Sequence, residues 1–215
     1  PPPDTNALPI LVNRPHPVDG SSRPADLVQL KDVLPSSLVT VKGSDCEGDR
    51  TAAQALITMF EAAKADGVTG WQISAGYRSV KYQTSLYERK TKYYLDKGYD
   101  NATAKEKAAA VVNPPGYSEH NCGLAADLNS PEHTTLDTGF ADTAAFRWLC
   151  ENAEQYGFIL RYPKEAEAVT EITYEPWHWR YVGPENAALI SQSGLCFEDA
   201  IAVLQKLAAG QSVTG

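Results

Sequence analysis

The chain has 215 residues, 43% of them hydrophobic, which suits one globular domain with a sizeable core. Nineteen Lys and Arg against 27 Asp and Glu give a formal net charge of −8, which argues against a nucleic-acid binder, because neutralising phosphates takes clustered basic side chains. No apolar run approaches the roughly 20 residues of a membrane-crossing helix.

The opening Pro1-Pro2-Pro3-Asp4, with no Met, reads either as a piece whose export or anchor segment has been removed or as an ordinary disordered terminus. Pro9, Pro15, Pro17, Pro24 and Pro35 interrupt any periodicity over the next stretch. Residues 1–42 are therefore expected as an extended arm on the surface of a domain covering 43–215. From Arg50 to Ala65 the apolar residues Ala53, Leu56, Ile57, Phe60 and Ala63 recur at helical spacing and stop at Asp66-Gly67. Trp71 to Ala75 alternates and follows a glycine, the pattern of a strand. Ser79 is a suitable cap for a helix from Val80 to about Lys97, with Gly98 as its stop. A shorter helix over Ala102–Val112 ends before Pro114-Pro115-Gly116, the sharpest break in the chain.

Leu124–Leu128 reads as a strand and Thr143–Tyr156 as a helix closed by Gly157. Strands at Phe158–Arg161 and Trp177–Val182 and helices at about Glu185–Ser191 and Phe197–Leu207 complete the chain. Short strands without regular βαβ alternation predict an α+β fold, a small antiparallel sheet flanked by helices. Four scattered cysteines (Cys46, Cys122, Cys150, Cys196) form no C-x-x-C pair. They are compatible with two disulfides or with free thiols.

Of four histidines, His16 lies between two prolines and His133 in a polar loop, and both read as solvated. His120 and His178 keep richer company: Ser118-Glu119-His120-Asn121-Cys122-Gly123-Leu124-Ala125-Ala126-Asp127 around the first, Glu175-Pro176-Trp177-His178-Trp179-Arg180-Tyr181 around the second. Two imidazoles and a carboxylate are a fitting ligand set for a catalytic zinc, which keeps one position for water. Spacing alone does not establish such a site. An uninterrupted strand would put Glu175 and His178 on opposite faces, unless Pro176 breaks the pleat.

The first segment matches S-x-H-x-x-G-x-A-x-D and the second E-x-W-H, the two signatures of the LAS metallopeptidases, and the run on to Trp179-Arg180-Tyr181 resembles their VanY-type carboxypeptidase branch. Ala75-Gly76-Tyr77-Arg78-Ser79, with Gln83 in the next helical turn, resembles the segment that precedes both motifs in that branch. The resemblance covers roughly Trp71 to Gly183. It implies a hedgehog/D,D-peptidase-like fold and a zinc-dependent enzyme that removes a C-terminal D-alanine from peptidoglycan stem peptides. By position it implies His120, Asp127 and His178 as zinc ligands and Glu175 as catalytic base. Arg78, Ser118 and Gln83 would line the substrate pocket. Arg78 would grip the terminal carboxylate, since a guanidinium can offer it two parallel hydrogen bonds.

Trp177 is expected beneath the site, and Trp179, Arg180 and Tyr181 are candidates for orienting its ligands. Within the same resemblance, an L,D-carboxypeptidase acting on tetrapeptide stems is the alternative specificity. A non-catalytic binding module and a cross-bridge endopeptidase are the further rivals; the filled Glu175 position speaks against the first and Arg78 against the second. The implied substrate places the protein outside the cytoplasmic membrane, at a bacterial cell wall or surface.

Overall fold

A computed structural model describes residues 8–20 and 23–211; the opening Pro1-Pro2-Pro3 lies outside them. In chain order the elements are β1 (Leu27–Gln29), α1 (Leu30–Val33), β2 (Val39–Val41), β3 (Glu47–Asp49), α2 (Arg50–Ala65), β4 (Trp71–Ala75), α3 (Val80–Asp96), α4 (Asn101–Ala109), β5 (Ala125–Asn129), α5 (Ala144–Asn152), β6 (Phe158–Leu160), α6 (Glu167–Thr170), β7 (His178–Tyr181), α7 (Pro184–Ser193) and α8 (Phe197–Ala208). Five strands form the central sheet in the order β2-β4-β5-β7-β6, and β1 pairs with β3 in a separate ribbon. Within the central sheet β4, β5, β7 and β6 run antiparallel to their neighbours, while β2 joins β4 in parallel at the edge.

Local chemistry explains where the helices begin. The Asp49 carboxylate accepts from the Thr51 and Ala52 amides at the start of α2, and the Ser79 hydroxyl accepts from the Tyr82 amide at the start of α3. Asp100 and Thr143 do the same for α4 and α5, each satisfying amide groups that have no partner within the helix. The α2 stripe of Ala52, Ala53, Leu56, Met59, Phe60 and Ala63 is buried. It packs on Trp71, Ile73, Ala126, Leu128 and Trp179 of the sheet, with the Phe60 and Trp71 rings stacked at 5.2 Å. Each large side chain buried this way stabilises the fold by about 2 kcal/mol. A second apolar cluster holds α7 and α8 against β6 through Ile159, Val182, Ile190, Phe197 and Ile201.

Strand alternation then separates two faces. Ala126, Leu128 and Trp179 point into the main core. Their neighbours Asp127, His178 and Arg180 necessarily take the other face, where all three are buried. The sheet is therefore apolar towards α2 and polar, yet dry, on its reverse.

Residues 27–41, expected within a surface arm, form β1, α1 and β2 instead. Leu30, Leu34, Leu38, Val39 and Val41 belong to the main core. Their apolar positions are scattered among prolines and grouped in elements of three or four residues, too short to display a period. Boundaries elsewhere shift by a few residues: α4 stops at Ala109, and the helix expected over Thr143–Tyr156 tightens into a 3₁₀ turn at Ala153–Tyr156. All four cysteines are free thiols, and only Cys46 is buried. No single helix among the described residues is long and apolar enough to cross a membrane.

Candidate active site

Strand register brings two of the expected ligands together. In the β5–β7 pair Asp127 stands directly opposite His178, and their side chains meet with His178 Nδ1 3.2 Å from Asp127 Oδ1. His120 arrives from the 3₁₀ turn Glu119–Cys122. Its Nδ1 donates to the Gly76 carbonyl at 2.6 Å, which leaves Nε2 facing Asp127 Oδ1 at 3.3 Å. The chain can leave this turn because Gly123 adopts φ +77°, and a Cβ there would stand 2.6 Å from Leu27 Cδ2. A glycine thus sits where a side chain would be both strained and obstructed.

The donor atoms of His120, Asp127 and His178 all lie within 4.8 Å of one another, and all three residues are buried. Asp127 Oδ1 is buried without a hydrogen-bond partner, an unfavourable state for a carboxylate oxygen unless something positive meets it. A tetrahedral zinc site with ligands at roughly 2.0–2.2 Å has edges of about 3.3–3.6 Å. The 3.2 and 3.3 Å separations from Asp127 Oδ1 match such edges, and the N,N,O donor set suits zinc. The three residues fit the metal that the sequence implies.

Glu175 and His178 end up on the same side because they do not share a strand. The His178 amide donates to the Glu175 carbonyl at 3.1 Å, closing a turn through Pro176 and Trp177 before β7 begins. Proline suits this position, since its fixed φ is the one the second residue of such a turn requires. Glu175 Oε2 lies 3.6 Å from His178 Nδ1. Burial pushes the Glu175 carboxyl up to about 7, against the pull of His178 and with a further push from Asp127. Burial also acts on both candidate ligand histidines. It lowers His120, with Arg78 adding to the effect. In His178 it is outweighed by the neighbouring carboxylates of Asp127 and Glu119, and the group rises to about 9. Burial opposes the ionised Asp127, but the neighbouring imidazoles and Arg78 hold it well below the usual carboxylate range.

Arg78 sits between β4 and α3, its amide donating to the His120 carbonyl at 2.9 Å. Its Nη2 donates to Asp127 Oδ2 at 2.8 Å, and the side chain is 20% exposed. One donor direction is spent on orienting Asp127, and the rest of the fork stays at the cleft. Arg78, Gln83, Ser118, Glu175 and Trp177 line the same cleft as the three candidate ligand residues, a space of about 220 Å³. Gln83 is 1% exposed, not a solvated helix residue. Its amide nitrogen donates to the Asn113 carbonyl at 2.7 Å, and its Oε1 is buried without a partner. A second cavity, of about 600 Å³, adjoins the cleft and shares Arg78, Leu86 and Leu136 with it.

Trp177 is half-buried in the cleft wall, whereas Trp179 is core, its indole N–H donating to the Pro176 carbonyl at 3.0 Å. Tyr181 packs against the main core. His16 pairs with Asn13, and His133 with Asp137, both exposed. Sequence reading passes over Glu119 and Tyr162. Glu119 is buried beside His178 and holds Arg161 and Arg180, each at 2.7 Å. Tyr162 packs its ring on His178 at 4.9 Å. Only the proximity of Glu119 to His120 in sequence hints at it; Tyr162 leaves no local signal.

Comparison with known proteins agrees with this architecture. The family model described as VanY, D-alanyl-D-alanine carboxypeptidase, matches residues 47–184. A D-alanyl-D-alanine carboxypeptidase of Enterococcus faecalis is 38% identical over 192 residues, 88% of this chain and 64% of that relative, so the chain spans less than two thirds of its length. Among solved structures, a mutant of the vancomycin-resistance D,D-pentapeptidase VanY from a VanB-type cassette, in complex with Zn(II), superposes with TM-score 0.72 and 35% identity. It covers 89% of this chain and 97% of that one. The LdcB LD-carboxypeptidase, in a structure described as revealing the basis of peptidoglycan recognition, superposes with TM-score 0.76 and 35% identity, covering 89% and 84%. The chain belongs to the VanY family of D-alanyl-D-alanine carboxypeptidases.

Proposed function

We propose that this chain is a zinc-dependent D,D-carboxypeptidase that removes the terminal D-alanine from peptidoglycan stem peptides, acting outside the cytoplasmic membrane. The observation that carries the reading is the convergence in one cleft of three kinds of group. These are the His120–Asp127–His178 donor set, a neighbouring carboxylate at Glu175, and a cationic fork at Arg78.

In this reading His120 Nε2, Asp127 Oδ1 and His178 Nδ1 hold the metal. Zinc bound there supplies Lewis acidity, polarising the scissile carbonyl and easing ionisation of water near neutral pH. Glu175 takes the proton of the attacking water and passes it to the leaving amine, so one carboxylate acts first as base and then as acid. Arg78 grips the free carboxylate of the terminal residue through the donors not given to Asp127, a charge-assisted contact that an internal peptide bond does not offer. The unpartnered Gln83 Oε1 accepts an N–H of the substrate backbone, and Ser118 lines the same cleft.

The test is mass spectrometry of products from pentapeptide and tetrapeptide stems, incubated with zinc-loaded protein and with a chelated control. Zinc-dependent loss of one alanine from the pentapeptide is the expected result. Trimming of the tetrapeptide alone would replace D,D by L,D specificity, and a protein that holds zinc but shortens neither peptide would overturn the reading.

A further inference from the structure

Glu119 carries neither the metal nor the chemistry proposed above, yet it is wholly buried. A carboxylate in a dry interior is tolerated only when paired. Its Oε1 accepts from Arg161 Nε and Arg180 Nη1, both at 2.7 Å. Its Oε2 has no hydrogen-bond partner among the described residues, and neither does Nε2 of His178, likewise buried. The two atoms face each other at 3.6 Å. His178 turns Nδ1 towards Asp127, so a neutral, metal-holding imidazole must carry its proton on Nε2. That N–H faces Glu119 Oε2, and a small inward movement makes the bond.

The pairing continues away from the site. Arg161 donates Nη1 and Nη2 to the two oxygens of Glu198 on α8, at 2.9 and 2.5 Å. Arg180 Nη2 donates to the Ile10 carbonyl at 2.6 Å. The Phe197 ring lies 5.2 and 5.4 Å from the two guanidinium carbons. Two buried arginines thus balance Glu119 and Glu198. Residues 10, 197 and 198 all fall outside the 47–184 segment that the family model matches.

We propose that Glu119 is a positioning residue for His178, fixing its Nε2–H tautomer so that Nδ1 is free for the metal, and that Glu198 on α8 holds Glu119 in place through Arg161. The inference rests on the zinc reading of the site. It gives the C-terminal helix a part in metal binding although it contributes no ligand. Carboxylate–histidine–metal relays of this kind change metal affinity by roughly 10–100-fold when broken.

The first experiment needs no variant: a two-bond ¹H–¹⁵N spectrum of zinc-loaded, histidine-labelled protein. A protonated, slowly exchanging Nε2 on His178 is expected, with Nδ1 as the bound nitrogen; the opposite tautomer overturns the proposal. Zinc affinity is then measured by chelator competition. In Glu119→Gln the arginines claim the amide oxygen, which turns the NH₂ against the His178 N–H, so affinity should fall about 10–100-fold. Affinity within twofold of wild type would sink the proposal. Glu198→Gln, at the outer end of the network, should weaken zinc at least threefold, and unchanged affinity there removes α8 from the relay. None of these readouts uses turnover. A protein with the expected tautomer and affinities that trims no peptide would refute the functional reading alone.

Discussion

Glu175 shows how burial tunes a single group. Its carboxyl rises from an ordinary 4.5 to about 7, burial being the main cause. In the metal-free protein the folded state therefore binds a proton more tightly than the unfolded chain does. Stability from this residue is present below about pH 4.5 and is lost as pH rises through 7, a difference on the order of 3 kcal/mol. A glutamine mimics the neutral acid. Metal-free Glu175→Gln should match wild type at pH 5 and exceed it at pH 8 in urea melts; equal slopes with pH would show that Glu175 does not titrate in this way. A cation on the nearby donors favours the carboxylate, so the acid limb of turnover should fall below pH 7. Arg78 carries a different prediction. Lysine keeps the charge and one donor to Asp127 but loses the planar fork. Arg78→Lys should raise KM and lower kcat/KM about 10–100-fold, the worth of one charge-assisted bond, with zinc content unchanged. Loss of zinc instead would mean that Arg78 serves Asp127 more than substrate.

At the level of elements, the site depends on how β5, β7 and two turns are joined. The antiparallel register sets Asp127 against His178, and the Glu175–His178 turn swings Glu175 onto the same side. The turn after His120 is held by Gly123 at φ +77°, close against Leu27 Cδ2 and the Asp49 backbone. An alanine there meets a left-handed backbone penalty of roughly 1–2 kcal/mol together with overpacking. Gly123→Ala should lower the melting temperature by about 4–8 °C and loosen zinc, because His120 is positioned by that turn. A variant with an unchanged melt would show that the loop absorbs the methyl group, and would deny the glycine its structural role.

On the scale of the whole molecule, the segments outside the family match are bound into the fold. Leu30, Leu34 and Leu38 fill the main core, and Phe197, Ala200 and Ile201 of α8 close the second. Removing α8 would also leave Glu119 alone to balance Arg161 and Arg180, and an excess buried charge is strongly destabilising. Truncation after α7 should therefore yield protein that no longer melts cooperatively, not a smaller active domain. A soluble, zinc-binding truncation would show that α8 is an accessory.

What could be read from residues alone is local in origin. The 3.6-residue stripe from Ala53 to Ala63 marked α2, Ser79 marked the start of α3, and alternation over Trp71–Ala75 marked β4, since neighbours along the chain create each signal. Resemblance to the two LAS signatures singled out His120, Asp127, Glu175 and His178, and tertiary structure alone brought them within reach of one another. It also decided what has no local trace. Gln83 is buried because α3 packs towards Asn113, thirty residues further on. Residues 27–41 enter the core through elements of three or four residues and the turns between them, too short to show a period. Glu119 meets Arg161 and Arg180 across 42 and 61 residues of chain. Periodicity and capping report on contacts within a few residues, whereas pairing of buried charges is settled by which side chains share the same dry space once the sheet has closed.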